Sequence, residues 1–199
     1  MPRHNFASRN GSGSLLLSVV TGALGEIGDK TQVLVVLLAA RFERPIPIIL
    51  GLFVSTAANY GIAALFGEWI GTVIGAESLR WVAGFSFLAI AIMALKADRL
   101  KEPAPLDHRY GVFALTLAST FVAELGDKTQ LATAVLAAKY GWVAPVVAGM
   151  TLGVIAVDAP LILVARTVAT KLRWPGIRFI VAGLFAIMGV ATLMASSFG

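Results

Sequence analysis

The stretch "GEIGDKTQ" at residues 25–32 interrupts a long apolar run, and "AELGDKTQ" at residues 123–130 repeats it. Each copy places a glutamate, an aspartate and a lysine where the surroundings are almost wholly hydrocarbon. They are Glu26, Asp29 and Lys30 in the first, and Glu124, Asp127 and Lys128 in the second. The two copies stand 98 positions apart, and the match continues beyond them. Leu38-Ala39-Ala40 corresponds to Leu136-Ala137-Ala138, Gly51 to Gly149, and Arg80 to Arg178. Nine of the sixteen positions from 26 to 41 are identical in the second copy. The chain is an internal duplication.

The composition says what the duplicated unit is. Of 199 residues, 58% are hydrophobic and only 14% charged, with a mean hydropathy of +0.85. Soluble domains average about half apolar and about a quarter charged, so this balance points to an integral membrane protein. Eleven Phe and four Trp suit lipid-facing and interfacial positions. The absence of cysteine excludes disulfides, thiolate metal sites and thiol catalysis. His4 and His108 lie outside the apolar runs, which leaves no imidazole chemistry within the membrane. The net charge of +5 comes from Lys and Arg in short connectors, with no basic stripe interleaved with aromatics, so no nucleic-acid partner is expected. The polar start "MPRHNFASRNGSGS" leads into an apolar segment too long and too charged for a cleaved signal.

Hydropathy with turn and charge breaks predicts an all-α polytopic fold of six transmembrane helices, each about long enough for a ~30 Å hydrocarbon core. The spans fall near 14–40, 46–74, 79–97, 110–139, 143–168 and 176–197. Residues 1–13 form a polar N-terminal segment, 14–97 a first three-span repeat, 98–109 a connector, and 110–199 the second repeat. Three spans per half is an odd number, so the second half enters from the opposite side as an inverted repeat, a plan shared by many secondary transporters. The connectors after spans 1, 3 and 5 carry ten Lys and Arg, against four at the termini and the other connectors. The positive-inside rule then places both termini outside the cytoplasm, in what is expected to be a bacterial inner membrane.

A charge near the bilayer centre costs about 2.5–3.5 kcal/mol even on insertion scales, so the motif residues must face the protein interior and find partners. Glu26 shares a helical face with Asp29 and Lys30, three and four residues on. Inverted symmetry lets spans 1 and 4 meet near the midplane, where Glu26, Asp29, Glu124 and Asp127 would converge. Four carboxylates and two lysines sum to a charge of −2, which one divalent cation or two protons would neutralise. Crowded carboxylates resist ionising together, so such a cluster can exchange a cation for protons. Carboxylate, amide and hydroxyl oxygens, including Gln32 and Gln130, are hard donors suited to Mg²⁺, Ca²⁺ or Mn²⁺. Gly25, Gly28 and Gly126 permit close helix approach or local unwinding that frees carbonyls. Lys30 and Lys128, with Thr31 and Thr129, are candidates for charge balance or gating: the lysines either pair with the carboxylates in the ion-free state or repel cations from a competing position. A purely structural ion pair is the alternative for one motif, but it requires neither the extra aspartates nor a second copy. Asn59 and Asp158, in spans 2 and 5 at an offset of 99, are secondary candidates, either as ligand and proton carrier or as helix-helix hydrogen-bonding groups.

Two copies of Glu-x-Gly-Asp-Lys-Thr in a six-span chain resemble a family of small cation exporters. Its eukaryotic members are Golgi manganese and calcium transporters, its bacterial members are associated with manganese export, and it is grouped with lysine-exporter-like proteins. The resemblance covers nearly the whole chain and implies that Glu26, Asp29, Glu124 and Asp127 bind the ion, with Thr31, Gln32, Thr129 and Gln130 also matching. Asp158 departs from the neutral residue the resemblance leads one to expect. It implies Mn²⁺ or Ca²⁺ export by proton antiport, with metal ions, protons and lipid as partners, no resident cofactor, and the cation as substrate. Self-association is left open. A passive cation channel is the nearer rival. An intramembrane aspartyl protease is the remote one, since "IGD" and "LGD" lack the preceding glycine and each Asp is followed by Lys. No enzyme is expected.

Overall fold

A computed structural model describes residues 7–74, 76–95, 111–165 and 177–194. The described residues form eight helices: α1 (Ala7–Glu26), α2 (Lys30–Phe42), α3 (Pro45–Val73), α4 (Ala76–Leu95), α5 (Gly111–Glu124), α6 (Lys128–Tyr140), α7 (Val143–Leu163) and α8 (Ile177–Met194). The connector at 98–109, residues 1–6 of the polar N-terminal segment, and the end of the span expected at 143–168 with the basic connector after it, residues 166–176, lie outside the described residues.

The runs expected at 14–40 and 110–139 are each two helices instead of one. The break falls inside the repeated motif. Gly28 and Gly126 take φ of 77° and 73°, the left-handed region where a Cβ would clash with the following carbonyl. The next residue, Asp29 or Asp127, is extended and caps the new helix, accepting from the amide of Thr31 or Thr129 at 3.3 and 3.4 Å. Gly-Asp therefore ends one helix and starts another within three residues. At ~1.5 Å per residue, α2, α5 and α6 are each only about 20 Å long and cannot cross a ~30 Å layer alone.

α3 and α7 are continuous, 29 and 21 residues, and both are long and apolar enough to cross a membrane. The start of α3 follows from Pro45 at its first position, and α7 starts after Trp142, which is extended and makes no side-chain cap bond. α7 lies along α1, α3 along both α5 and α6, and α4 along α8. Close approach is made by glycine: a Cβ on Gly51 would stand 2.8 Å from the Phe113 carbonyl oxygen, and one on Gly149 2.6 Å from that of Leu15. These two contacts are the same contact in the two halves, since 51 and 149, like 15 and 113, differ by the repeat offset.

An apolar core that includes Val35, Leu52, Leu136 and Met150 is joined inside by many polar side chains. Ser18, Ser55, Thr56, Asn59, Thr116, Thr120, Glu26, Asp29 and Asp158 are all inside, while Ile62, Leu65, Phe66, Trp69 and Val73 of α3 are more than half exposed. Many large apolar side chains exposed outside buried charges suit lipid better than water.

Candidate functional site

The two helix breaks meet, and each motif completes the other. The Lys30 ammonium pairs with Asp127 at 3.1 Å, and Lys128 pairs with Asp29. Each lysine crosses to the aspartate of the other repeat. The exchange is reciprocal between the two motifs. Lys128 and Asp29 are nearly inaccessible (7% and 2%), whereas Lys30 keeps some exposure (26%).

The glutamines hold the turns. Gly28 donates its amide to Gln32 Oε1 at 3.1 Å, and Gly126 donates to Gln130 Oε1 at 2.8 Å. Asp-Lys-Thr-Gln thus acts as a capping box shifted by one residue, with the glutamine satisfying the amide just before the cap. The amides of Asp29 and Asp127 turn back to the carbonyls of Glu26 and Glu124 at 2.9 and 3.1 Å. With those donors diverted, the carbonyls of Leu24, Gly25, Val122 and Ala123 lose the intrahelical amides four residues ahead, and the negative ends of α1 and α5 point into the site.

Long-range hydrogen bonds complete the cluster. Gln32 donates through Nε2 to Asp158 Oδ1 at 3.1 Å. Asn59 donates to Glu124 Oε2 at 3.3 Å and to the Phe121 carbonyl at 3.1 Å, and it accepts from Gln130 at 3.5 Å. Asn59 therefore serves the α5–α6 break and Asp158 the α1–α2 break. In the helix register set by Gly51 and Gly149, however, the residue corresponding to Asp158 is Tyr60, not Asn59. Tyr60 is fully buried beside Thr129, and it sits in the field of Glu124 and Glu26. Its place was not evident from the chain, because a tyrosine and an aspartate at matching positions do not read as a repeat.

Glu26 lies among Asp158, Asp29 and Glu124. One oxygen of each of Glu26, Glu124 and Asp158, and the hydroxyl of Thr31, is buried without a hydrogen-bond partner. Thr129 instead donates to Asp127 at 3.3 Å. Among the described residues, no three acidic or histidine side chains are close enough together to hold a metal ion as they stand. What is present is a set of unpaired hard oxygens around paired aspartates, a donor set that suits a hard divalent cation. A cavity of about 500 Å³ between α3, α4 and α6 reaches the cluster at Gly126, Asp127 and Gln130.

Helices broken at a buried, charged, duplicated motif are the mark of a membrane transporter. Comparison with known proteins gives the family. The profile of the divalent cation/proton antiporter GDT1 matches this chain twice, over residues 14–102 and 112–198, and so falls separately on each half of the duplication. The chain belongs to the GDT1 family, and it is an integral membrane protein that transports divalent cations. A Vibrio cholerae protein named as a candidate manganese exporter is 41% identical over 182 residues, covering 89% of each chain. A GDT1-like protein of Synechocystis is 30% identical over 148 residues, 64% of this chain and 68% of that one. No solved structure matches.

Proposed function

We propose that this protein exports Mn²⁺, with Ca²⁺ as the secondary substrate, across the bacterial inner membrane in exchange for protons. In this reading α1–α2 and α5–α6 are each one interrupted span, so the chain is two inverted three-span repeats with both termini outside the cytoplasm. The observation that carries it is the reciprocal pairing of Lys30 with Asp127 and Lys128 with Asp29 beside unpaired oxygens of Glu26, Glu124 and Asp158.

Five carboxylates against two lysines leave an excess of three negative charges when all are ionised. One divalent cation and one proton balance that excess, and three protons balance it without the cation. Glu26, Glu124 and Asp158 supply the first ligands, with the freed carbonyls at the ends of α1 and α5 as further hard oxygens. Asp29 and Asp127 keep the half-helices capped and hold the lysines, joining the ion when the lysines withdraw. Rocking of one repeat against the other then exposes the site alternately to the two faces.

The test is flux in proteoliposomes across Mn²⁺, Ca²⁺ and Mg²⁺ at imposed pH gradients. Substrate-driven proton movement is expected, and Asp127→Ala should abolish it while the protein remains inserted. Uptake with no accompanying proton movement would make the protein a channel and overturn the exchange.

A further inference from the structure

We infer that Tyr60 restricts the site to one cation: it stands where the other half has the carboxylate of Asp158, and so keeps the α5–α6 break from forming a second ion position. The inference rests on the cation binding proposed above and says which corner of the site holds the ion.

The duplicated motif supplies two corners, each with a glutamate, an aspartate, a threonine and a glutamine. Their surroundings differ. At the α1–α2 break, Gln32 donates to Asp158 at 3.1 Å, and Asp158 adjoins Glu26. Glu26 Oε1, Asp158 Oδ2 and the Thr31 hydroxyl are buried without a hydrogen-bond partner. At the α5–α6 break the corresponding oxygens are largely taken. Thr129 donates its hydroxyl to Asp127 at 3.3 Å, and Asn59 donates to one oxygen of Glu124 at 3.3 Å. Gln130 donates to the amide oxygen of Asn59, at 3.5 Å, and not to a carboxylate. Glu124 Oε1 is the motif oxygen left open in this corner. A hard divalent ion collects oxygens that have no other partner, so the Glu26–Asp158 corner holds it, with Glu124 Oε1 contributing from across the site.

Tyr60 accounts for the difference. In the register set by Gly51 and Gly149 it corresponds to Asp158. It is the largest of the fully buried side chains among the described residues, beside Thr129 and in the field of Glu124 and Glu26. A phenol there brings bulk and a neutral oxygen where an aspartate would bring charge. Charge decides how many ions the cluster takes. Five carboxylates and two lysines sum to −3, too little for two divalent cations. An aspartate at position 60 would bring the sum to −4, which two divalent cations balance, and would give each corner its own carboxylate pair. Two-metal sites with ions about 3.5–4 Å apart are built from such shared carboxylates.

The number of bound ions is the readout. Equilibrium dialysis of the detergent-purified full chain against saturating radiolabelled Mn²⁺ should give one ion per chain for the wild type and for Tyr60→Phe, which adds no charge. Tyr60→Asp should give two. Glu26→Gln should weaken Mn²⁺ binding at least tenfold more than Glu124→Gln does. Tyr60→Asp combined with Asp158→Tyr keeps charge and volume, and so carries the test where the single variant does not fold. It should bind one ion, with Glu124→Gln now the more damaging change. Two ions in the wild type, one in folded Tyr60→Asp, or equal losses from Glu26→Gln and Glu124→Gln would overturn the inference. No Mn²⁺ bound by the wild type would instead overturn the exporter reading on which it rests.

Discussion

Lys128→Met tests the crossed ion pairs most directly. Lys128 and Asp29 are 7% and 2% exposed, so removing the ammonium leaves a carboxylate buried beside other carboxylates. Breaking a buried pair by deleting one partner costs about 3–5 kcal/mol. For a chain of this size 1 kcal/mol moves the melting temperature by about 2–4 °C, so the midpoint should fall by about 6–20 °C. Lys30→Met should cost less than half as much, because the Lys30 side chain is 26% exposed and water offsets part of the loss. Deleting both charges separates pairing from packing. Asp29→Asn keeps an N-cap for α2, so Asp29→Asn with Lys128→Met should recover most of what Lys128→Met alone loses. The assay is thermal denaturation of the detergent-purified single and double variants. A Lys128→Met midpoint within about 0.5 kcal/mol of wild type would refute the argument, as would a double variant whose cost equals the sum of the singles.

Other consequences are as specific. Gly149→Val should destabilise strongly, since its Cβ would press on the Leu15 carbonyl and on Ser18 at 2.6 Å; Gly61→Ala, with open space around it, should gain about 0.5–1 kcal/mol of helix stability in the same melt. Gly126→Ala meets no neighbour but must hold φ of 73°, so it should cost about 1–2 kcal/mol from backbone strain alone, read as a shifted denaturation midpoint. Gln32→Ala removes both the Gly28 cap and the Asp158 contact and should cost about 1–3 kcal/mol, with Gln32→Glu restoring only the cap. Glu124→Gln keeps its shape and its Asn59 contact but loses charge; Mn²⁺ binding by calorimetry should weaken at least tenfold with the melting temperature unchanged or raised.

Much of the site was legible in the chain because it is written twice. The duplication, the apolar runs and the buried charges are local or periodic properties, and lipid enforces them: every backbone amide must be paired within its own segment, and every charge must turn inward. Glu26, Asp29, Glu124 and Asp127 could be picked out on those grounds, and the glycines marked where unwinding was affordable. The two breaks themselves are decided by φ at Gly28 and Gly126, and hydropathy runs straight through them.

What the chain could not give are the partners. Lys30 reaches Asp127 across 97 residues, and Lys128 reaches Asp29 across 99. Gln32 reaches Asp158 across 126. Helical spacing would have paired each lysine with the glutamate four residues before it in the same motif. The Gly-Asp break ends the helix between them, and the second motif presents its aspartate instead. The sequence by itself determined that the charges are buried, duplicated and bound for one membrane-embedded cluster. Only tertiary packing decided which charge meets which, because hydrophobicity and helical period carry no information about residues a hundred positions apart.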